Sequence, residues 1–239
     1  TPIRRQRQMC IRDSFYLYQN LLMVIRFFIF FIPLLFTIGL LSQEKQRYFE
    51  DQFYMGLSYN SLGGKVDQLK ENKFSFSVNY GFIKDIPISD NGKLAIGLGI
   101  GLAHNSLNNN LKLNESELNF VTNLSSINTN RYNYTEFQIP FEFRWRNSSL
   151  TNYKFWRIYP GLRFSRVIKS KYIFEDDTII NKIDVFPIEK NQLGVTLNVG
   201  FNTWNISLYQ SLNSFFDKKD YSDIEDLKQF RMGFVFYIF

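Results

Sequence analysis

The sequence predicts an all-β fold: an eight-stranded antiparallel up-and-down β-barrel that spans a membrane and is preceded by a signal peptide. Three observations carry this prediction. Apolar and polar residues alternate with a period of two in segments far apart in the chain, one face of these segments is consistently large and apolar, and aromatic residues make up 18% of the chain. A period of two is typical of β-strands, and an apolar face opposite a polar one suits strands that turn their rings towards lipid.

Segment 136–147, EFQIPFEFRWRN, shows the alternation most clearly. Its odd positions from Phe137 to Trp145 are large and apolar. Its even positions carry Glu136, Gln138, Pro140, Glu142, Arg144 and Arg146. In a soluble sandwich the polar face would be the outer one, so this segment alone does not decide which side is wet. The other segments set Gly, Ser, Asn and Thr against their apolar faces, which suits a closed interior rather than a soluble surface.

The remaining seven strands are predicted at 52–60, 73–82, 94–103, 155–168, 193–201, 204–212 and 229–239. A two-residue turn at 202–203 would pair Phe201 with Trp204 on the apolar face. Alternating strand direction places loops 61–72, 104–134, 170–192 and 213–228 on one side, and turns 83–93, 147–154 and 202–203 on the other. Long loops outside and short turns inside are the asymmetry of outer-membrane barrels.

The N-terminal region divides into two parts. Residues 1–14, TPIRRQRQMCIRDS, look like translated sequencing-adapter read-through, and we treat them as an artefact. Residues 15–42 are expected to hold upstream residues and a signal peptide that starts at Met23, because Arg26 precedes an apolar run too short to span a bilayer. Cleavage is expected near Ser42, which leaves 43–239 as the barrel. An uncleaved inner-membrane anchor is the alternative.

The net charge of +6 does not indicate a nucleic-acid partner. Residues 1–42 contain five arginines and one acid, which leaves 23 basic and 21 acidic residues in the rest of the chain. The rest of the chain also contains no basic stripe with interleaved aromatic residues, so a nucleic-acid partner is not predicted. The single cysteine, Cys10, excludes an internal disulfide.

No enzyme, metal or cofactor site is predicted. The only histidine, His104, is interpreted as a rim residue rather than a general base, and the glycines of GLGIGLA follow strand periodicity rather than a dinucleotide motif. Two acidic clusters lie in the predicted outer loops, at 175–177 and 220–226. They are interpreted as solvated loops, with calcium binding as the alternative.

The interior of an eight-stranded barrel is just wide enough for side chains to fill it. Glu142, Arg144, Arg146, Arg157 and Arg163 share the polar faces of two neighbouring predicted strands. They are predicted to form a structural polar network in the lumen, with an anion-selective passage as the alternative. On this interpretation Phe141→Arg, on the lipid face, should harm folding more than Arg144→Gln.

Several stretches resemble the PorT-like, porin-family outer-membrane β-barrel proteins of Bacteroidetes. They are FYMGLSYNSLGGK (53–65), GFIKDIPI (81–88), AIGLGIGLAHNS (95–106), PFEFRWRNS (140–148), YKFWRIYPGLR (153–163) and GFNTWN (200–205). The resemblance implies a non-enzymatic structural or accessory protein of the outer membrane, linked to type IX protein secretion or gliding. A small porin or a loop-mediated surface-binding protein is the alternative.

The resemblance also implies partners. These are outer-membrane lipid, secretion-system components, and the barrel-assembly machinery, which would recognise the terminal aromatic residue Phe239 as its assembly signal.

Overall fold

The computed structural model describes residues 51–64, 68–113, 118–123, 127–147, 156–201, 203–217 and 227–238. Eleven strands form within these ranges: β1 Gln52–Gly63, β2 Phe76–Pro87, β3 Leu94–Asn108, β4 Leu111–Leu113, β5 Leu118–Phe120, β6 Ile127–Arg146, β7 Trp156–Asp176, β8 Ile180–Ile183, β9 Asn191–Phe201, β10 Trp204–Ser211 and β11 Lys228–Ile238. In this part of the chain no helix is long and apolar enough to cross a membrane.

Eight of these strands close into a barrel. The sheet order is β6-β3-β2-β1-β11-β10-β9-β7, and β6 also pairs with β7. Every pair is antiparallel, and β1 pairs with β11 from Phe53–Ile238 to Gly63–Lys228. Apart from the short strands β4, β5 and β8, each strand neighbours the next one in the chain. The predicted eight-stranded up-and-down barrel is therefore confirmed.

The outer wall of the barrel is apolar. Along β1, Phe53, Met55 and Leu57 are more than half exposed, while Tyr54 and Asn60 between and beyond them are buried. At a rise of about 3.3 Å per residue and a tilt of about 40°, the outward apolar run of β6 from Trp145 to Phe137 covers about 20 Å of depth. This height approaches that of the lipid-facing band of outer-membrane barrels.

Aromatic side chains mark both ends of this band. All three tryptophans of the chain, Trp145, Trp156 and Trp204, are exposed on the outer wall at the end with the short turns. Phe201 and Trp204 pair across the 202–203 turn, as predicted. At the other end Tyr59 and Tyr80 are also exposed. Amphipathic rings at both levels are typical of the two membrane–water interfaces.

Two predicted outer loops contain strand structure instead. In the predicted loop 104–134, β3 continues to Asn108, β4 and β5 pair as a hairpin, and β6 already begins at Ile127. In the predicted loop 170–192, β7 continues to Asp176 and pairs with β8. The outward positions at this end of β6, Arg131, Asn133 and Thr135, are polar, because the strand end stands beyond the apolar band. The contrast that revealed the other strands is therefore missing here.

The predicted inner turn 83–93 is also shorter, since β2 continues to Pro87 and carries Asp85 on its inward face. Residues 1–50, with the predicted artefact and signal peptide, and Phe239, the predicted assembly signal, lie outside the described residues.

Candidate functional site: the barrel interior and its apolar cap

A buried ion-pair network fills the end of the interior that lies nearest the short turns. Arg144 Nη1 donates to Asp85 Oδ1 at 3.0 Å, and Arg144 Nε donates to Glu142 Oε2 at 3.0 Å. Arg146 Nη2 donates to the other oxygen of Asp85 at 2.9 Å, and its Nε donates to the carbonyl of Gly92 at 2.7 Å. Since these four ionic side chains are at most 2% exposed, each charge depends on its partner rather than on water.

A second network lies in the interior, farther from the short turns than the first. Arg231 Nη2 contacts Glu136 Oε1 at 2.6 Å and donates to Gln229 Oε1 at 2.8 Å. Gln138 Nε2 donates to the same carboxylate oxygen at 2.8 Å, and Gln229 Nε2 donates to Asn60 Oδ1 at 2.7 Å. The strands β1, β6 and β11 are therefore tied together across the lumen.

Tyrosine rings support the positive charge in the lumen. The described interior buries five arginines and three acids, so the arginines outnumber the acids by two. The guanidinium carbon of Arg144 lies 4.8 Å from the ring centre of Tyr159, and that of Arg231 lies 4.7 Å from the ring of Tyr209. Arg163 faces the same Tyr209 ring at 5.5 Å. These ring faces are attractive to cations, more so in a site shielded from water.

The inward glycines of β3 make room for this network. A Cβ at Gly97 would lie 2.7 Å from Arg144 Nε, and a Cβ at Gly101 would collide with the hydroxyl of Tyr54. The glycines of the GLGIGLA stretch therefore serve the packing of the lumen.

An apolar cap covers the end of the interior that lies opposite the short turns. Its buried members come from the far ends of β3, β6 and β7, from β4, from the segment after β8, and from the segments that follow β10 and precede β11: Leu107, Leu111, Leu113, Ile127, Tyr132, Tyr134, Tyr172, Phe174, Phe186, Ile188, Phe215, Phe216 and Leu227. The ring of Tyr132 lies 4.6 Å from that of Tyr172 and 5.2 Å from that of Phe186. Tyr134 packs against Phe215 at 5.5 Å and hydrogen bonds to Gln229, which joins the cap to the network below.

Hydrogen bonds fix the shape of the cap. The Tyr132 hydroxyl donates to the Leu111 carbonyl at 2.7 Å, and the Leu113 amide donates to the Tyr172 hydroxyl at 3.0 Å. A backbone bridge joins Ile188 to Phe216. The 185–188 and 215–216 segments are therefore folded over the barrel end rather than held only at their ends.

One cavity between the packed side chains of the interior is very small. A cavity lined by Tyr54, Glu142, Arg163, Asn198 and Tyr237, among others, has a volume of about 10 Å³. A space of that size holds one water molecule at most. Passage of a hydrated ion through this level would require the network to separate.

The structure places all five predicted lumenal residues in the interior, where they are 0–6% exposed. Glu142, Arg144 and Arg146 join one network, and Arg163 on the neighbouring strand β7 lies beside Tyr209. Sequence reasoning missed Asp85, which holds two arginines, and also Arg231. The signal for Asp85 was available, because the inward set of Ser77, Asn79 and Gly81 continues in steps of two to position 85.

His104 lies on the outer wall rather than in the interior. Its ring is hydrogen bonded with the Tyr80 hydroxyl at 3.3 Å and the Thr135 hydroxyl at 3.0 Å. It sits at the level where the apolar band ends, in keeping with a rim position.

The acidic cluster 175–177 shapes a turn. Asp176 Oδ1 accepts hydrogen bonds from the Thr178 amide, the Thr178 hydroxyl and the Ile179 amide at 2.7–2.8 Å. These bonds, the Thr178 amide first among them, lower the pKa of the Asp176 carboxyl below its usual value. No group of three or more His, Cys, Asp or Glu residues within the described ranges is placed to hold a metal ion. The second cluster, 220–226, lies outside them.

A family comparison agrees with this architecture. The model of the outer membrane protein beta-barrel domain matches residues 41–217, most of the chain. The chain belongs to this family. It is therefore an outer-membrane β-barrel protein, and the ends with long and short connections face the cell exterior and the periplasm respectively.

Two solved structures are similar to this chain at low identity. Both are of Ail, the attachment invasion locus protein of Yersinia pestis. One, in complex with the heparin analogue sucrose octasulfate, has 12% identity and a TM-score of 0.39, and the match covers 79% of this chain and 97% of that one. The other has 15% identity, a TM-score of 0.37, and coverage of 78% and 96%. No curated protein sequence matches this chain.

Proposed function

We propose that this protein is a non-enzymatic, non-conducting outer-membrane barrel that holds a folded surface structure outside the cell. The observation that carries the proposal is the filled lumen, in which Asp85, Glu142 and Arg144 are held by ion pairs at 3.0 Å. A barrel whose interior is occupied by fixed charges and closed by an apolar cap has the properties of a scaffold rather than of a pore.

The small-porin alternative is disfavoured by the same contacts. An anion drawn by the excess arginines would meet Arg144 and Arg146 already bound to Asp85, and would have to displace those bonds. Planar-bilayer recording of the purified protein tests this point. We expect no stable conductance, and a reproducible anion-selective conductance would overturn the scaffold proposal.

The extracellular side supports a role in surface binding. β7 and β8 extend the barrel wall beyond the apolar band, and β8 stands at the end of the sheet order with β7 as its neighbour. Ile180 and Val185 of this region are 65% and 75% exposed. A sheet edge flanked by exposed apolar residues is suited to pairing with an extended segment of another protein.

The resemblance to PorT-like barrels adds a more specific prediction, a part in type IX secretion or gliding, with secretion-system components as partners. Deleting the gene and measuring secretion, solute uptake and surface attachment separates the three roles. Complementation with an Ile180→Lys/Val185→Lys variant narrows the result, against an Asp184→Lys control that makes the same change in charge at an 89% exposed position of the same segment. On the surface-binding proposal the first variant fails to restore attachment or secretion and the control restores it. Restoration by both variants would contradict a role for this edge.

A further inference from the structure

A β-bulge changes which side chains face outward at the extracellular end of β7. Glu136 pairs with Val167 and Thr135 with Lys169, so Ile168 is an extra residue in β7. Below the bulge the even-numbered residue Arg166 faces outward beside Phe137. Above it the parity is inverted, since Ser170 and Tyr172 are buried. Lys169 and Lys171 therefore lie on the outer wall above Arg166. Re-aiming side chains is a recognised use of bulges.

A groove of about 660 Å³ runs beside these cations on the outer wall. Residues of β3 and β6 line its floor, among them the buried Ser106 and the half-buried Asn133 and Thr135. Phe76 and Leu102 stand on one side, and Ile168, Lys169 and Lys171 on the other. Thr135 is fixed by its 3.0 Å hydrogen bond with His104. The groove therefore has a cationic side, an apolar side and a floor with a hydroxyl donor.

The depth of the groove distinguishes it from an ordinary charged surface. It begins where the apolar band ends, since Leu102 pairs with Phe137 and the next outward pair on the same strands is His104 with Thr135. This is the level at which the headgroups of the outer leaflet meet the barrel wall. An acidic residue also approaches it, as Asp184 lies 3.8 Å from Lys171. Asp184 is 89% exposed, so water weakens that pair.

We propose that this groove binds the phosphorylated headgroup of an outer-leaflet lipid. Lys169 and Lys171 contact the phosphate, the Thr135 hydroxyl donates to one of its oxygens, and Phe76, Leu102 and Ile168 pack against the first part of the acyl chains. The occupant is a lipid rather than a free anion, because the apolar walls continue directly into the lipid-facing band. This inference does not depend on the proposed scaffold function.

The test is native mass spectrometry of the detergent-refolded protein with phosphatidylglycerol or phosphatidylcholine of the same chains. We expect saturable retention of phosphatidylglycerol and weaker retention of phosphatidylcholine. The Lys169→Gln/Lys171→Gln variant should lose about tenfold in phosphatidylglycerol affinity, since each cation near a lipid surface adds to binding. The control Lys93→Gln/Lys228→Gln removes the same charge, from a periplasmic turn and from the opposite wall on β11, and should bind as the wild type does.

Each other outcome overturns the proposal. If the two lipids are retained equally, or if the Lys169/Lys171 variant binds phosphatidylglycerol with unchanged affinity, the groove is not a site for an anionic headgroup. An equal loss in the control variant shows a general charge effect. Displacement of the lipid by sodium phosphate, with sodium chloride at the same ionic strength as reference, shows a site for a free anion. All four lysines are at the surface, so the variants should fold, and the electrophoretic shift between unboiled and boiled samples checks this. If the double variant fails that check, Lys169→Gln alone carries the same prediction.

Discussion

Replacing Arg144 by glutamine removes a cation that holds two buried acids. Arg144 Nε and Nη1 lie 3.0 Å from Glu142 and Asp85, and all three side chains are at most 2% exposed. Removing one partner of a buried ion pair costs about 3–5 kcal/mol, because a charge is left buried without compensation. Asp85 retains Arg146 at 2.9 Å, so we expect a loss of about 3 kcal/mol, the lower end of that range.

The second variant isolates the cause. Adding Glu142→Gln neutralises the acid that Arg144→Gln leaves without its cation, so the double variant should be at least about 1 kcal/mol more stable than Arg144→Gln alone. Urea titration of the barrel folded in phosphatidylcholine vesicles measures the free energy of unfolding of both variants, with fluorescence emission from the three lipid-facing tryptophans as the signal. A loss below about 1 kcal/mol for Arg144→Gln would be the value of an exposed pair and would refute the buried network. The Glu142→Gln variant is measured as well. If the losses of stability in the two single variants add up to the loss in the double variant, the two side chains are not coupled.

The same titration checks two further predictions, and hydrogen exchange checks a third. Phe141→Arg places a charge on the lipid-facing wall and should lower the free energy of unfolding by about 2–4 kcal/mol. The sequence alone predicts a larger loss for Phe141→Arg than for Arg144→Gln, whereas the buried network makes the two losses nearly equal. Gly97→Ala should cost about 1–3 kcal/mol because its Cβ meets the constrained Arg144, whereas Gly63→Ala, with open space at its Cβ, should cost little. The folded pKa of Asp176 is lowered, so the turn it stabilises is present above the usual carboxyl pKa and is lost as the pH falls through the folded value. Protection of the Ile179 amide relative to an Asp176→Asn variant should follow that course, and equal protection in both proteins at neutral pH would contradict it.

The strand pattern within the bilayer could be predicted from the sequence because lipid imposes one polarity on every outward position. Segment 94–103 shows this directly, since its leucines and isoleucines face out and its glycines face the lumen. Beyond the apolar band that constraint ends. The cap depends on Phe186, Phe215 and Phe216, which lie outside the long strands and follow no periodicity.

The candidate sites were harder to predict. Polar alternation identified which arginines face inward, but not that Asp85 of β2 would meet Arg144 and Arg146 of β6, because a partner across the lumen depends on strand register. The outward position of Lys169 and Lys171 depends on a single extra residue in β7. If the alternation of faces is continued through Ile168 as though there were no bulge, both lysines are predicted to face the lumen. A bulge inside a continuous strand has no fixed sequence signature, so only the pairing with Thr135 reveals it.

The pairing of β1 with β11 constrains the order of assembly. The two strands share eleven residue pairs, yet the whole of the remaining barrel lies between them in the chain. Until β11 arrives, the backbone donors and acceptors on one edge of β1 have no partner, and such an edge is not tolerated in hydrocarbon. Insertion must therefore wait until residues 228–238 have been synthesised, or another protein must occupy the β1 edge in the meantime. A chain cut before β11 would carry two open edges, which makes complete synthesis a condition for stable residence in the membrane.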